Sequence, residues 1–314
     1  MWGRARVGAE PKAVIKPPAP IGFIGLGNMG GPMARRLLGA GYFLHVLDRD
    51  ERRVQALAKH QQVSAETTPA GLAGVVAAVI IMLPDGKIVS DVVLGKDGLV
   101  HGLKPGSIVV DMSSSDPVGT RALGRTLALH GIELVDAPVS GGVKRALDGS
   151  LSTMVGGDAA AIQRVQALLK PMAGQIFKTG PLGSGHAMKA LNNLVSAAGL
   201  WIAAEALLVG GAFGLKPETM VDVWNASTGR NNSTENKFKQ QILSGSFASG
   251  FSLGLMAKDL RTAASLAEEM GAFAPYTEAC ARLWSEAETA LGGDADHTAA
   301  IKFLEARRSK RAGD

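Results

Sequence analysis

The chain has 314 residues, is 46% hydrophobic and contains 40 glycines, so it is long enough for two cores and reads as a soluble globular protein. Its one cysteine, Cys280, excludes an intramolecular disulfide framework and points to a reducing, cytoplasmic setting. The net charge of +5, from 33 Lys and Arg against 28 Asp and Glu, sits partly in two terminal clusters, Arg4 with Arg6 and Arg307-Arg308-Ser309-Lys310-Arg311; no stacking aromatics interleave them, so no nucleic-acid partner is expected.

Residues 1–20 hold basic side chains and Pro17-Pro18-Ala19-Pro20 but no apolar run of signal-peptide length, and a disordered extension is expected there. An organelle presequence is the sharper alternative. Glu10, the lack of serines and the prolines, which oppose an amphipathic helix, weigh against it.

Ile21-Gly22-Phe23-Ile24-Gly25 then predicts a strand, residues 29–40 a helix ended by Gly41, and residues 42–48 the next strand. The turn between the first strand and helix carries Gly25-x-Gly27-x-x-Gly30. Gly25 permits a tight turn, Gly27 lets backbone approach a pyrophosphate, Gly30 allows helix and strand to pack closely, and the helix N-terminus supplies free N–H groups. Asp48 ends the second strand 18 residues after Gly30, where a carboxylate can accept ribose hydroxyls. Its charge disfavours a 2′-phosphate, whereas Arg49, Arg52 and Arg53 could accommodate one. NAD is therefore the expected cofactor, with NADP left open.

Further strands are expected at residues 76–82, 107–111 and 132–136, each separated from the last by enough chain for a crossover helix. The repeated strand and helix pattern specifies a Rossmann-type, doubly wound, mainly parallel α/β sheet. Ligands of such sheets gather beyond the carboxyl ends of the strands, where Met82-Leu83-Pro84-Asp85 and Asp111-Met112-Ser113-Ser114-Ser115-Asp116-Pro117 leave them; plain turn and cap chemistry is the competing explanation for both. In Asp136-Ala137-Pro138-Val139-Ser140-Gly141-Gly142, a hydroxyl precedes two glycines whose N–H groups can converge on a carboxylate, unless the segment is merely a glycine-rich loop.

The turn-forming cluster Gly180-Pro181-Leu182-Gly183 sets the expected boundary between a dinucleotide-binding domain, residues 21–182, and an all-α domain, residues 183–314. The second domain opens on Gly183-Ser184-Gly185-His186-Ala187-Met188-Lys189-Ala190-Leu191-Asn192-Asn193. On a helix, Lys189 and Asn193 lie one turn apart on one face, an ammonium beside an amide. Asn192 reads as structural, and a lone His186 as a packing or hydrogen-bonding residue. Residues 194–215 are long and nearly all apolar, but Glu205 would be costly in lipid, so a helix buried between domains or subunits is expected, not a membrane span. Thr228-Gly229-Arg230-Asn231-Asn232-Ser233 either lines a substrate cleft or connects helices. No metal-ligand spacing recurs, and no metal is expected.

The Gly22 to Gly30 fingerprint, the Asp136 to Gly142 run, Gly-x-Gly-x-x-x-Lys-x-x-Asn-Asn ending at Asn193, and Phe251-x-x-x-x-Met256-x-Lys258-Asp259-Leu260 together resemble the β-hydroxyacid dehydrogenases over roughly residues 20–305. The resemblance implies that Gly25, Gly27, Asn28, Met29 and Gly30 bind the dinucleotide, and that Leu83, Pro84 and Ser114 contact its nicotinamide half. It further implies that Ser140, Gly141 and Gly142 grip a substrate carboxylate, Lys189 is catalytic, Asn193 orients the substrate, and Lys258 closes over the cofactor with Phe251 and Asp259 around it. The implied activity is NAD(P)-dependent hydride transfer with a small 3-hydroxy acid or its semialdehyde, among them 3-hydroxyisobutyrate, glycerate or tartronate semialdehyde, threonate and succinic semialdehyde. A homodimer or homotetramer is expected from the apolar helical half. An imine reductase or a short relative of 6-phosphogluconate dehydrogenase on the same scaffold, and a non-catalytic dinucleotide-binding module, are the competing readings.

Overall fold

The computed structural model describes residues 13–313, with side chains as far as residue 308. The chain divides between His186 and Ala187 into two compact units. The expectation of disorder for residues 1–12 lies outside the described residues. From Ala13 onward that expectation is corrected: Ile15 is buried in the core and its N–H donates to the Arg164 carbonyl at 2.9 Å.

The first unit runs β1 (Pro20–Ile24), α1 (Gly30–Gly39), β2 (Phe43–Leu47), α2 (Glu51–Ala58), β3 (Val63–Ala65), α3 (Pro69–Gly74), β4 (Ala78–Ile81), α4 (Gly86–Leu94), β5 (Ile108–Asp111), α5 (Pro117–Leu129) and β6 (Glu133–Asp136). It continues through β7 (Val139–Ser140), α6 (Gly142–Asp148), β8 (Leu151–Gly156), α7 (Ala159–Leu169) and β9 (Ala173–Gly180). The sheet order is β3-β2-β1-β4-β5-β6-β8-β7, with β9 paired to β8. From β3 to β6 every pairing is parallel, and β8 then runs antiparallel to β6.

Alternation along the central strands explains why both faces are covered. In β4, Ala78 and Ile80 join Phe23, Met33, Leu37, Val46 and Val110 in one core, while Val79 and Ile81 join Ile24, Leu72, Val89 and Val109 in the other. A strand buried on both sides reads as an unbroken apolar run, which is why these strands stand out in the sequence. The last part of the sheet does not. β9 exposes Gln175, Phe177 and Lys178 and has no apolar run, and β3 has only three residues.

Aspartates set several helix starts. Asp85 accepts from the Ile88 N–H at 2.9 Å and caps α4; Asp116 accepts from the Gly119 N–H at 2.5 Å and caps α5, which has Pro117 in its first turn. Turn and cap chemistry thus accounts for these two acids, though not for Leu83, Pro84 or Ser114 between and beside them.

The long helix α8 (Ser184–Phe213) begins at the end of the first unit and carries most of its length into the second. The second unit continues with α9 (Pro217–Ala226), a π-helix (Thr234–Leu243), α10 (Leu253–Glu269), α11 (Pro275–Leu291) and α12 (Ala300–Gly313). Its core gathers around Trp201, whose ring lies 5.5 Å from Trp284 and 6.1 Å from Phe303. By length and composition α8 could cross a membrane. Ala197, Leu200, Trp201, Ala204 and Leu207 nevertheless bury one face of it in the unit's own cores, and Glu205 accepts from Trp201 Nε1 at 2.8 Å.

Candidate active site

The loop between β1 and α1 is shaped by glycines that nothing larger can replace. Gly25 has φ +96°, and a Cβ there would collide with the Met82 carbonyl; a Cβ on Gly30 would collide with the carbonyl of Gly25. Gly27 differs: the nearest heavy atom to its added Cβ is Arg53 Nη1 at 3.4 Å, so the loop backbone is bare on that side. Such a cradle at a helix start fits a dinucleotide pyrophosphate. Asn28 is exposed on the loop, and Met29 packs partly against the core.

Asp48 closes the loop from below. Its Oδ2 accepts from the Leu26 N–H at 2.6 Å and its Oδ1 from the Asp50 N–H at 2.8 Å, so one carboxylate fixes the glycine loop and the start of α2 together. Arg52 pairs with Asp50, Arg53 reaches both Asp50 and Asp48, and Arg49 is exposed beside them.

At the next strand ends, the Leu83 N–H donates to Ser113 Oγ at 3.0 Å, the Ser113 N–H to Asp111 Oδ1 at 2.9 Å, and Ser115 Oγ to Asp111 Oδ2 at 2.8 Å. Asp111 is therefore the peg that holds the Leu83-Pro84 and Ser114 segments in place. Pro84 is exposed and Ser114 half-buried between its bonded neighbours.

A second buried acid orders the start of α8. Asp136 accepts from the N–H groups of Gly183 and His186, both at 2.8 Å. A Cβ on Gly185 would lie 2.8 Å from Asp136 Oδ2, and Gly183 has φ +87°, which explains both glycines of that motif. His186 Nδ1 lies 2.8 Å from Thr120 Oγ1, which itself donates to the Asp116 carbonyl at 2.8 Å. Because a carbonyl only accepts, the threonine proton is spent there and His186 Nδ1–H is the donor. His186 thus hydrogen-bonds inside the fold, as a lone histidine should.

A buried lysine stands in the second unit. Lys189 is buried, and its Nζ donates to Asn193 Oδ1 at 3.5 Å; Asn193 Nδ2 donates to Asp259 Oδ2 at 2.5 Å, and Lys258 Nζ lies 3.2 Å from Asp259 Oδ1. The acceptor-only carboxylate fixes which way the Asn193 amide points, so its oxygen faces the lysine. Asn192 Nδ2 donates to the same oxygen at 3.2 Å and has a supporting place. Burial pulls the Lys189 pKa below its ordinary 10.5; the Asp259 carboxylate opposes this and the Lys258 charge adds to it.

A separate buried cluster in the second unit is not apparent from sequence. His297 donates its backbone N–H to the Phe251 carbonyl at 2.9 Å, has Nδ1 3.0 Å from the same oxygen, and packs edge-on against the Phe251 ring. Lys237 Nζ is 3.0 Å from His297 Nε2, and burial lowers both pKa values, that of His297 to about 4. The 228–233 segment connects helices: Asn231 Oδ1 accepts from the Ser233 and Thr234 N–H groups, its Nδ2 donates to the Gly199 carbonyl, and Arg230 pairs with Glu235.

Comparison with known proteins supplies the lineage. Residues 20–180 match the family model described as the NAD binding domain of 6-phosphogluconate dehydrogenase, and residues 183–304 match that described as the NAD-binding domain of NADP-dependent 3-hydroxyisobutyrate dehydrogenase. The chain is 38% identical to 2-(hydroxymethyl)glutarate dehydrogenase of Eubacterium barkeri, covering 91% of this chain and 94% of that protein. Among solved structures, Mycobacterium tuberculosis 3-hydroxyisobutyrate dehydrogenase with L-serine aligns with a TM-score of 0.84 at 32% identity, over 91% of this chain and 99% of that one. An imine reductase of Streptomyces aurantiacus aligns with a TM-score of 0.60 at 22% identity, over 91% of this chain and 99% of its own, and shows the shared fold alone.

Proposed function

Because the chain belongs to the β-hydroxyacid dehydrogenase family, and so is an NAD(P)-dependent oxidoreductase of small hydroxy acids or their semialdehydes, we propose that Lys189 is its general acid and base. The observation that carries this is the buried row Lys189, Asn193, Asp259. It holds an ammonium in one direction, while burial lowers its pKa, the direction that proton transfer at neutral pH requires. Bound NAD(P) supplies the hydride acceptor or donor. Lys189 Nζ takes the hydroxyl proton during oxidation and returns it to the carbonyl oxygen during reduction. Asn193, its amide fixed by Asp259, orients the substrate hydroxyl.

The first unit has the binding duties in this reading. Gly25, Gly27, Asn28, Met29 and Gly30 cradle the pyrophosphate, and Asp48 with Arg49 faces the adenosine ribose. Leu83, Pro84 and Ser114 serve the nicotinamide end, and Lys258 is a further cofactor residue. Ser140, Gly141 and Gly142 hold the substrate carboxylate through a hydroxyl and two N–H groups; Gly141 and Gly142 have φ +131° and +66°, which only glycine adopts readily. Residues 21–182 then form the dinucleotide domain and residues 183–314 the helical one.

Relatives are named for 2-(hydroxymethyl)glutarate, L-serine and 3-hydroxyisobutyrate, which supports a substrate of the same class of hydroxymethyl acids. Self-association is proposed through α8, where Met188, Val195, Ile202 and Val209 recur every seven residues on an exposed face. Cys280 is a free thiol in a metabolic dehydrogenase, and the cytoplasm is the proposed location. A spectrophotometric panel of these acids with NAD and NADP across pH tests the activity. Lys189→Arg tests the assignment: near-normal turnover with an unchanged pH profile would remove the lysine from the chemistry.

A further inference from the structure

The loop Ser140-Gly141-Gly142 has a cationic neighbour that a single carboxylate leaves unused. A Cβ added to Gly141 would lie 2.5 Å from Arg145 Cδ, 2.9 Å from its Cβ and 3.1 Å from its Cγ. The arginine stem therefore lies along the loop backbone, and the guanidinium, one bond beyond Cδ, is held beside the loop. Both Gly141 and Arg145 are exposed, and Lys144 adds an exposed ammonium on the adjacent position.

Arg145 has no ion pair or side-chain hydrogen bond among the described residues. The acid one turn on, Asp148, accepts from the Ser150 N–H at 3.0 Å and from Ser150 Oγ at 2.5 Å. That hydroxyl chiefly holds the Asp148 carboxyl below its usual range, and the charges of Arg145 and Lys144 add to the effect. The serine bonds leave the guanidinium fork to solvent. A planar fork of N–H donors beside an anion-binding loop is suited to a carboxylate approaching in plane.

We propose that Arg145 binds a second carboxylate of the substrate, carried on the substituent at C2, so that the preferred substrate is a 3-hydroxy acid with two carboxylates. This rests on the reading that the Ser140 to Gly142 loop holds the first carboxylate. Within it, the loop fixes the end of the molecule common to all hydroxymethyl acids, and Arg145 selects among them by the side arm.

Steady-state turnover of the full chain with three probes tests this: 3-hydroxyisobutyrate, 2-(hydroxymethyl)glutarate, and the 5-carboxamide of the latter. All three share the hydroxymethyl group and the first carboxylate; only the second carries two negative charges. The diacid should exceed its carboxamide by about tenfold in kcat/KM, and raising the salt concentration should shrink that ratio. Arg145→Ala should abolish the preference by raising KM for the diacid alone, leaving both monoacids within about twofold of the parent, which also reports that the variant is folded. Arg145→Lys should keep part of the preference. Equal turnover of diacid and carboxamide by the parent enzyme overturns the proposal, as do parallel losses on all three probes in Arg145→Ala, which would assign the arginine to the first carboxylate. Failure of every probe to reduce NAD or NADP would instead remove the hydroxy-acid reading, and this proposal with it.

Discussion

Two buried charged groups, Asp136 in the first unit and Lys189 in the second, are treated in opposite ways. Asp136 has two short bonds from main-chain N–H groups, one to each carboxylate oxygen. Lys189 has one long bond, at 3.5 Å, to a neutral amide. A buried charge that is fully hydrogen-bonded is scaffolding, because changing its state would strand its partners. A buried charge with few partners has its two protonation states brought closer in energy, and that is what acid-base chemistry needs.

The largest expected effect comes from removing the under-bonded member. Lys189→Met should lower turnover by roughly 10²- to 10⁴-fold while cofactor binding, followed by fluorescence titration, stays close to the parent. In the parent, alcohol oxidation should rise with pH through the lowered lysine pKa, because in the proposed role the neutral amine is the proton acceptor. Stability carries the same sign. The folded pKa lies below the unfolded 10.5, so between the two values the unfolded chain binds more protons and stability rises with pH. Lys189→Met should remove that rise; a denaturation series still showing it in full would place its origin elsewhere.

A smaller loss, in stability and not in chemistry, is expected from the well-bonded member. Asp136→Asn keeps one acceptor oxygen but turns the other position into a donor, which then faces either the Gly183 or the His186 N–H. The cost should be about 1–3 kcal/mol, read from the denaturant midpoint. A variant as stable as the parent would mean that the contrast between the two charges is not one of hydrogen bonding.

The same contrast marks what could be read from the sequence. Lys189 and Asn193 are four positions apart, and a helix brings such residues together whatever else the chain does. The glycine loop and the apolar runs of β1, β4, β5 and β6 are equally local signals. Asp136 meets Gly183 and His186 across 47 and 50 residues, and Asp259 meets Asn193 across 66. No periodicity reports such contacts. Asp48 was legible as the acid ending β2, but not its bonds to Leu26 and Asp50, which make it part of the loop as well as the proposed partner for ribose. β8 and β9 escaped notice because one pairs antiparallel across the sheet and the other shows a mostly polar, half-exposed face.

The smallest effect is the most discriminating, because Asp259 belongs to both categories at once. Its Oδ2 orients Asn193, as scaffolding does, and its charge raises the Lys189 pKa against burial. Asp259→Asn separates the two roles: an amide oxygen can still accept from Asn193 Nδ2, so the geometry is retained while the charge is deleted. With only the Coulombic support gone, the Lys189 pKa should fall further. The acidic limb of the oxidation profile should then move to lower pH with the plateau rate largely kept. If the plateau collapses and the limb stays where it was, Asp259 acts on Asn193 alone, and the lowered pKa of Lys189 is the work of burial without electrostatic tuning.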